Sequence, residues 1–174
     1  MPATKVLIIN PNSTKAMTDG LRHTPVAQPN VEYHFFTNPD GPPSIDDKDT
    51  CHASAESCMK ALLDQTNGID LKDYGAFVVA CYSLHPLVSK LKAETGKPVV
   101  GIFEASVTTC LHLIDASQKF GIVSTGNNWE ILLTEGVGDI LGTPHSEGGK
   151  RFAGVGTTGL TASDLLKAAH EDVQ

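Results

Sequence analysis

An α/β fold with parallel strands in layers is the architecture this sequence predicts, and three observations carry the prediction. Short apolar or β-branched runs alternate with segments of helical periodicity along the 174 residues, an alternation that implies parallel strands joined by helical crossovers. The runs stop at polar corners, at residues 8–10, 81–85, 103–106 and 124–126, each followed by a helical segment. Composition is that of a globular chain, 40% hydrophobic and 19% charged, long enough to bury a core as one domain or as two small lobes.

Lys5 to Ile9 is a β-branched run, broken by Asn10, Pro11, Asn12, Ser13 and Thr14 before a helix from about Lys15. Val31 to Phe36 is the second strand. The stretch from Asn38 to Asp49, with Pro39, Gly41, Pro42 and Pro43 among aspartates, is expected to be an exposed loop covering the strand ends. From Cys51 to about Thr66 the pattern is helical. Cys51, Ala55, Cys58 and Leu62 share one stripe, so both cysteines are read as core packing.

Val78, Val79 and Ala80 are expected to form a strand buried on both faces, and Pro86 to start a helix reaching about Thr95. Pro98 to Phe103 reads as another buried strand. Glu104 to Ile114 follows as a helix whose apolar side carries Val107, Cys110, Leu111 and Ile114, which makes Cys110 structural. Lys119 to Val123 is a fifth strand, ending in Ser124, Thr125 and Gly126 before a helix with Trp129, Leu132 and Leu133. Arg151 to Val155 is a further strand. A capped helix is expected from Thr161 to about His170, with Leu165 and Leu166 needing something to cover. Another strand would normally follow, so the ending at Gln174 reads as abrupt, and association into homo-oligomers would cover the exposed leucines.

Several function classes are excluded at this level. A formal net charge of -7 without clustered Lys and Arg argues against nucleic acid as a partner. No apolar run approaches the ~20 residues of a membrane helix, and Val6 to Ile9 is too short for a signal-peptide core. The expected location is cytoplasmic, where the four cysteines stay reduced, and their spacing matches no zinc pattern. No metal is expected.

The chemistry is expected at the corners. Cys81 ends a buried strand just before a helix start, the edge where open α/β sheets bind ligands and where a helix terminus favours thiolate. Two readings of it stand: a nucleophilic or proton-abstracting thiol, or a small core residue. Asn12, Ser13 and Thr14 gather amide, hydroxyl and backbone donors suited to a carboxylate or imide, or else Ser13 or Thr14 simply caps the helix. Glu104 and Ser106 stand at another strand's end, and Ser124, Thr125 and Gly126 offer donors to an anion. His85 is either a cationic neighbour of Cys81 or a solvent-facing residue at the helix start.

Four blocks in order resemble one family: Ile8 to Thr14 with Met17 and Thr18, Cys81 to Val88, Gly101 to Ser106, and Phe120 to Gly126. Together they resemble the Asp/Glu/hydantoin racemase family, most of all its hydantoin and allantoin racemase branch in the form seen in fungi. The resemblance covers residue 5 to about 165. It implies two similar α/β lobes, a first of residues 1–103 carrying Cys81 and an incomplete second of residues 104–174, with an active site between them. It also implies racemisation without metal or pyridoxal cofactor, one cysteine on each face of the substrate moving the Cα proton. Cys81 matches the first of these cysteines. The second belongs to a Leu-Gly-Cys-Ala-Gly-Met type segment that this sequence does not contain. Substrate contacts would come from Asn12, Ser13, Thr14, Tyr82, Ser83, Glu104, Ser106, Ser124, Thr125 and Gly126.

The leading expectation is therefore a cofactor-independent racemase of a hydantoin, allantoin or related amino-acid derivative. Two rivals remain open. A decarboxylase of related type needs only one cysteine to protonate a planar enediolate, and a truncated, inactive fold would at most bind a small anion.

Overall fold

The structure, a computed structural model, describes residues 2–143, 149–162 and 164–165. The chain divides into two compact units, one of Met1–Ile45 with Asp49–Ile102 and one of Asp46–Lys48 with Phe103–Gln174. The α/β architecture with parallel strands holds in both. Among the described residues no helix is long and apolar enough to cross a membrane.

In the first unit the elements run β1 (Thr4–Asn10), α1 (Lys15–Leu21), β2 (Val31–Thr37), α2 (Lys48–Leu63), β3 (Ala76–Val79), α3 (Pro86–Thr95) and β4 (Val99–Gly101). Their strands form one sheet in the order β2-β1-β3-β4, every neighbouring pair parallel. Ile9 stands opposite both Phe36 and Val79, which fixes the register at the strands' carboxyl ends. The core gathers Leu7, Ile9, Phe77 and Val79 from the strands with Ala55, Cys58 and Leu62 of α2 and Leu87 and Leu91 of α3. Helix α3 starts on Pro86, whose missing N–H costs nothing there, and ends on Gly96 in the left-handed region at φ 63°.

Three expectations for this unit need correcting. The central strand is not buried on both faces: Phe77 and Val79 enter the core while Ala76 and Val78 are half-buried. Pro98 to Phe103 yields only the strand Val99–Gly101, with Val100 46% exposed, because the chain turns into helix already at Ile102. A third correction concerns the stretch from Asn38 to Asp49, which is not simply exposed. Asn38 and Ile45 are buried, and Asn38 Nδ2 donates to the Pro11 carbonyl at 2.9 Å and to Ser57 Oγ at 2.9 Å. A proline-rich loop thus acquires a buried polar anchor, which composition alone does not disclose.

The second unit contains α4 (Ile102–Leu113, all but its first residue), β5 (Phe120–Ser124), α5 (Asn128–Leu141) and β6 (Phe152–Thr157). Strands β5 and β6 pair in parallel, with Phe120 opposite Phe152 and Ser124 opposite Thr157. One extra residue is taken up in β6 between those pairs, where Gly154 sits at φ 115°, a bulge conformation that a side chain would resist. Arg151 donates to the carbonyls of Leu111, Ile114 and Asp115, tying the end of α4 to the start of β6. On α4 Val107 is buried and Cys110 and Leu111 are half-buried, as is Ile114 just past its end. Thr161 and Asp164 cap each other reciprocally, Asp164 N donating to Thr161 Oγ1 and Thr161 N to Asp164 Oδ2, each at 3.1 Å. Beyond Leu165, the expected helix to His170, with Leu166, lies outside the described residues.

Candidate active site

Strand order reverses between β1 and β3, since the chain passes from β1 outward to β2 and from β3 outward to β4 in the opposite direction. At such a switch point the loops leaving two adjacent strands diverge and open a crevice at the carboxyl edge. The Asn10–Thr14 loop leaves β1 there, and Cys81 follows β3. The two strand ends are still joined, Ala80 N donating to the Ile9 carbonyl at 2.8 Å.

The first loop is built around Asn10, which is only 2% exposed. Its Nδ2 faces Asn12 Oδ1 at 2.8 Å, Thr18 Oγ1 at 3.0 Å and the Thr14 carbonyl at 3.3 Å, while its Oδ1 accepts from Asn12 N at 3.2 Å. Asn12 Oδ1 also accepts from Thr14 N at 2.9 Å, and Thr14 Oγ1 donates to the Pro43 carbonyl at 2.6 Å. Thr14 occupies the cap position of α1, yet its hydroxyl makes no cap bond. Simple capping by that hydroxyl is therefore corrected: the helix start is held by the Asn12 amide. Ser13 N donates to the Pro42 carbonyl at 3.0 Å, so the proline loop supports this corner.

Two thiols meet beside the second loop. Ser83 Oγ lies 3.3 Å from Cys81 Sγ and 3.4 Å from Cys51 Sγ, bridging them, and Ser83 itself is 4% exposed. Cys51 reaches the bridge from the first turn of α2. A hydrogen bond with Cys81 is the largest cause that draws the Cys51 thiol down, from 9.0 to about 4, helped by His85 and Ser83 and opposed by burial. Because the sulfurs share that hydrogen bond, one proton is lost from the pair and the charge belongs to both. Cys51 is buried, as the packing reading expects, and it also touches Ser83 at this edge. Cys58, on the same stripe, is fully buried and its thiol is pushed up to about 12 by desolvation alone.

His85 is not a solvent-facing residue. It is 2% exposed and caps α3, its Nδ1 accepting from Leu87 N at 3.2 Å. Its Nε2 lies 2.9 Å from Ser54 Oγ, and that hydroxyl donates onward to the Cys51 carbonyl at 2.9 Å. His85 lowers the Cys51 thiol both by a hydrogen bond and by coulombic attraction, and the helix terminus expected to serve Cys81 directly is spent on the His85 cap.

The remaining predicted residues divide between the units. Asn12, Ser13, Thr14, Cys81, Tyr82 and Ser83 belong to the first, at the ends of β1 and β3, with Cys81 half-buried and Tyr82 37% exposed. Glu104, Ser106, Ser124, Thr125 and Gly126 belong to the second. There Ser106 Oγ donates to the Phe103 carbonyl at 2.8 Å, the Ser124 and Thr125 carbonyls accept from Thr158 N, and Gly126 O accepts from Trp129 N. Asn10, Cys51 and Ser54 were not foreseen at the site. A cavity of about 370 Å³ elsewhere in the first unit is lined by Leu62, Leu71, Glu94 and Lys97 among others. Lys97 Nζ there donates to the carbonyls of Leu71, Lys72 and Tyr74, a structural anchor and not a group awaiting a ligand.

Comparison with known proteins bears on what such an edge does. The family described as Asp/Glu/Hydantoin racemase matches residues 6–174. An uncharacterized protein of Schizosaccharomyces pombe is 37% identical over 164 residues, covering 92% of this chain and 63% of the relative. A hydantoin racemase of a Pseudomonas species is 33% identical over 123 residues, covering 69% of this chain and 46% of the relative. In fold, the chain matches the crystal structure of allantoin racemase from Pseudomonas fluorescens with a TM-score of 0.76 at 22% identity, over 96% of this chain and 66% of that one. The chain thus spans less than two thirds of the length of the curated relatives named here.

Proposed function

The chain belongs to the Asp/Glu/hydantoin racemase family, and from that premise we propose that it acts in cofactor-independent proton transfer at the Cα of a hydantoin, allantoin or related amino-acid derivative, with Cys81 as the base. The observation that carries this reading is the thiol pair at the switch point, Cys81 and Cys51 bridged by Ser83 Oγ at 3.3 and 3.4 Å. A hydantoin Cα–H is acidified by the neighbouring ring carbonyl, and a thiolate well below the usual ~8.5 is present at neutral pH to take that proton. Cys81 is the member of the pair that reaches solvent; Cys51 stands behind it and Ser83 orients both. Charge that develops on the carbonyl oxygen needs preorganised donors, and Asn12, Ser13, Thr14 and Tyr82 stand on the loops of this edge.

Inversion needs an acid on the opposite face of the planar intermediate. Cys51 does not serve there, because a thiol hydrogen-bonded to Cys81 addresses the same face. The experiment follows Cα–H loss by NMR in deuterium oxide and optical purity by chiral chromatography, starting from each pure enantiomer of a hydantoin and of allantoin. Exchange that disappears with Cys81→Ser is expected. Exchange at the full rate in that variant would end the assignment of Cys81, and inertness of both enantiomers with both substrates would end the substrate assignment.

A further inference from the structure

We propose that Cys51 and Cys81 form a peroxide-oxidisable dithiol, which closes to a reversible disulfide within the first unit. The proposal stands on the arrangement of the two sulfurs, on their unequal access to solvent, and on the contrast with the other cysteines. It does not depend on the racemase reading.

Both sulfurs touch one hydroxyl, Ser83 Oγ, at 3.3 and 3.4 Å, and hydrogen-bond to each other. Their carriers differ in structure. Cys51 is fixed in the first turn of α2, whereas Cys81 lies in the irregular stretch between the end of β3 at Val79 and the start of α3 at Pro86. Within that stretch Ala80 N donates to the Ile9 carbonyl and Ser83 N to the Cys81 carbonyl, while Cys81 itself lies outside strand and helix. Cys81 is half-buried and meets a small oxidant from solvent, while Cys51 at 7% exposure is shielded from it. An accessible sulfur with a shielded partner behind it is the arrangement of an oxidised and a resolving thiol. The readily lost proton of the pair adds the thiolate that such chemistry requires.

The steps balance with hydrogen peroxide as oxidant. The Cys81 thiolate attacks one peroxide oxygen; an S–O bond forms, the O–O bond breaks, and hydroxide leaves, so that sulfur is oxidised and peroxide reduced. Cys51 then attacks the sulfenic sulfur; the S–S bond forms, the S–O bond breaks, and the departing hydroxide takes the Cys51 proton as water. Two thiols and one peroxide give one disulfide and two waters. Closure takes the Cys81 lone pair out of use, and a dithiol restores it.

The test treats the reduced 174-residue chain with hydrogen peroxide, blocks remaining thiols, and digests without reduction using proteases that cut after Lys and after Glu. Cleavage after Glu56 places Cys51 and Cys58 on different peptides, so the linkage is assigned by mass. The expected result is a Cys51–Cys81 cross-linked peptide lacking two hydrogens, lost on treatment with dithiothreitol, with Cys58 and Cys110 still alkylated. In Cys51→Ser the cross-link is replaced by a sulfenic acid on Cys81 that dimedone traps. A cross-link through Cys58 or Cys110, oxidation of Cys81 straight to sulfinic acid in the unsubstituted chain, or no oxidation of Cys81 at all would each overturn the proposal. The map of the unsubstituted chain decides the question even if the variant does not fold.

Discussion

Replacing Cys51 by alanine removes the hydrogen bond that does most to hold an anion on the sulfur pair, and the consequence is best read from Cys81. With the pair intact one proton is lost far below neutrality, the thiol being drawn down to about 4. Charge on the two sulfurs is then constant from about pH 6 to about pH 8, and the alkylation rate of Cys81 is flat there. In Cys51→Ala, Cys81 keeps Ser83 but loses its sulfur partner and returns toward the ordinary ~8.5. Its thiolate fraction climbs about tenfold per unit, roughly a hundredfold across the same window. Absolute rates at one pH mislead, because intrinsic nucleophilicity falls with pKa at a Brønsted slope of about 0.4–0.5, so that a drop of about four units costs about two decades. That loss is close to what full ionisation gains near pH 6. The slope therefore carries the test. Iodoacetamide labelling of the Cys81 peptide, quantified by mass spectrometry with circular dichroism confirming the fold, is expected to be flat in the parent and steep in the variant. Parallel profiles would refute the shared proton, and so would a parent that rises tenfold per unit like an isolated thiol.

Four further outcomes follow from the same contacts. Because the Cys51 thiol is depressed in the fold, the stabilisation it contributes is complete above the unfolded value of 9.0 and lost as pH falls toward about 4. Urea titrations should accordingly show the parent gaining stability over Cys51→Ala as pH rises between these limits, and an equal pH trend in the two would contradict it. His85→Ala strips the cap from α3 and leaves Ser54 Oγ without its imidazole partner, a loss of about 1–3 kcal/mol in chemical denaturation that His85→Asn should partly recover. Asn10→Ala orphans buried groups of the β1 loop and should cost about 2–4 kcal/mol; a loss under about 1 would show that the network is not what orders the corner. Cys58 should resist alkylation in the folded chain and react at once in guanidinium, since it is fully buried and its thiol is pushed up to about 12.

The order of elements was legible because each is short, strongly patterned and punctuated. Pro86 opening a helix, Gly96 closing it and Asn10 ending a β-branched run are local signals, and the structure places all three where those signals do. What failed to read were boundaries and exposure that depend on partners far along the chain. Nothing local separates Gly101 from Ile102, so strand and helix are confused there; the sheet decides, because β4 pairs only from Val99 to Gly101. Likewise the proline-rich loop looks solvated until Asn38 is seen donating to Pro11 and Ser57, residues well removed in sequence.

The site divides along the same line. The position of Cys81 after a strand was legible because an apolar run that stops at a polar turn is a local signal. Cys51 was hidden by its own helix. On one stripe of α2 the pattern cannot tell Cys51 from Cys58, yet a separation of seven residues at 1.5 Å each carries the chain about 10 Å along the helix axis. The first turn of α2 lies at the polar edge with Ser83 and Cys81, and two turns further on the stripe faces the apolar layer of Leu62 and Phe77. One stripe thus samples two solvents, drawing one thiol down to about 4 and pushing the other up to about 12. The signal that separates them is present in the sequence. A crossover helix that follows a strand begins at that strand's carboxyl edge, so a nucleophile in its first turn belongs with the corners and one in its middle belongs with the core.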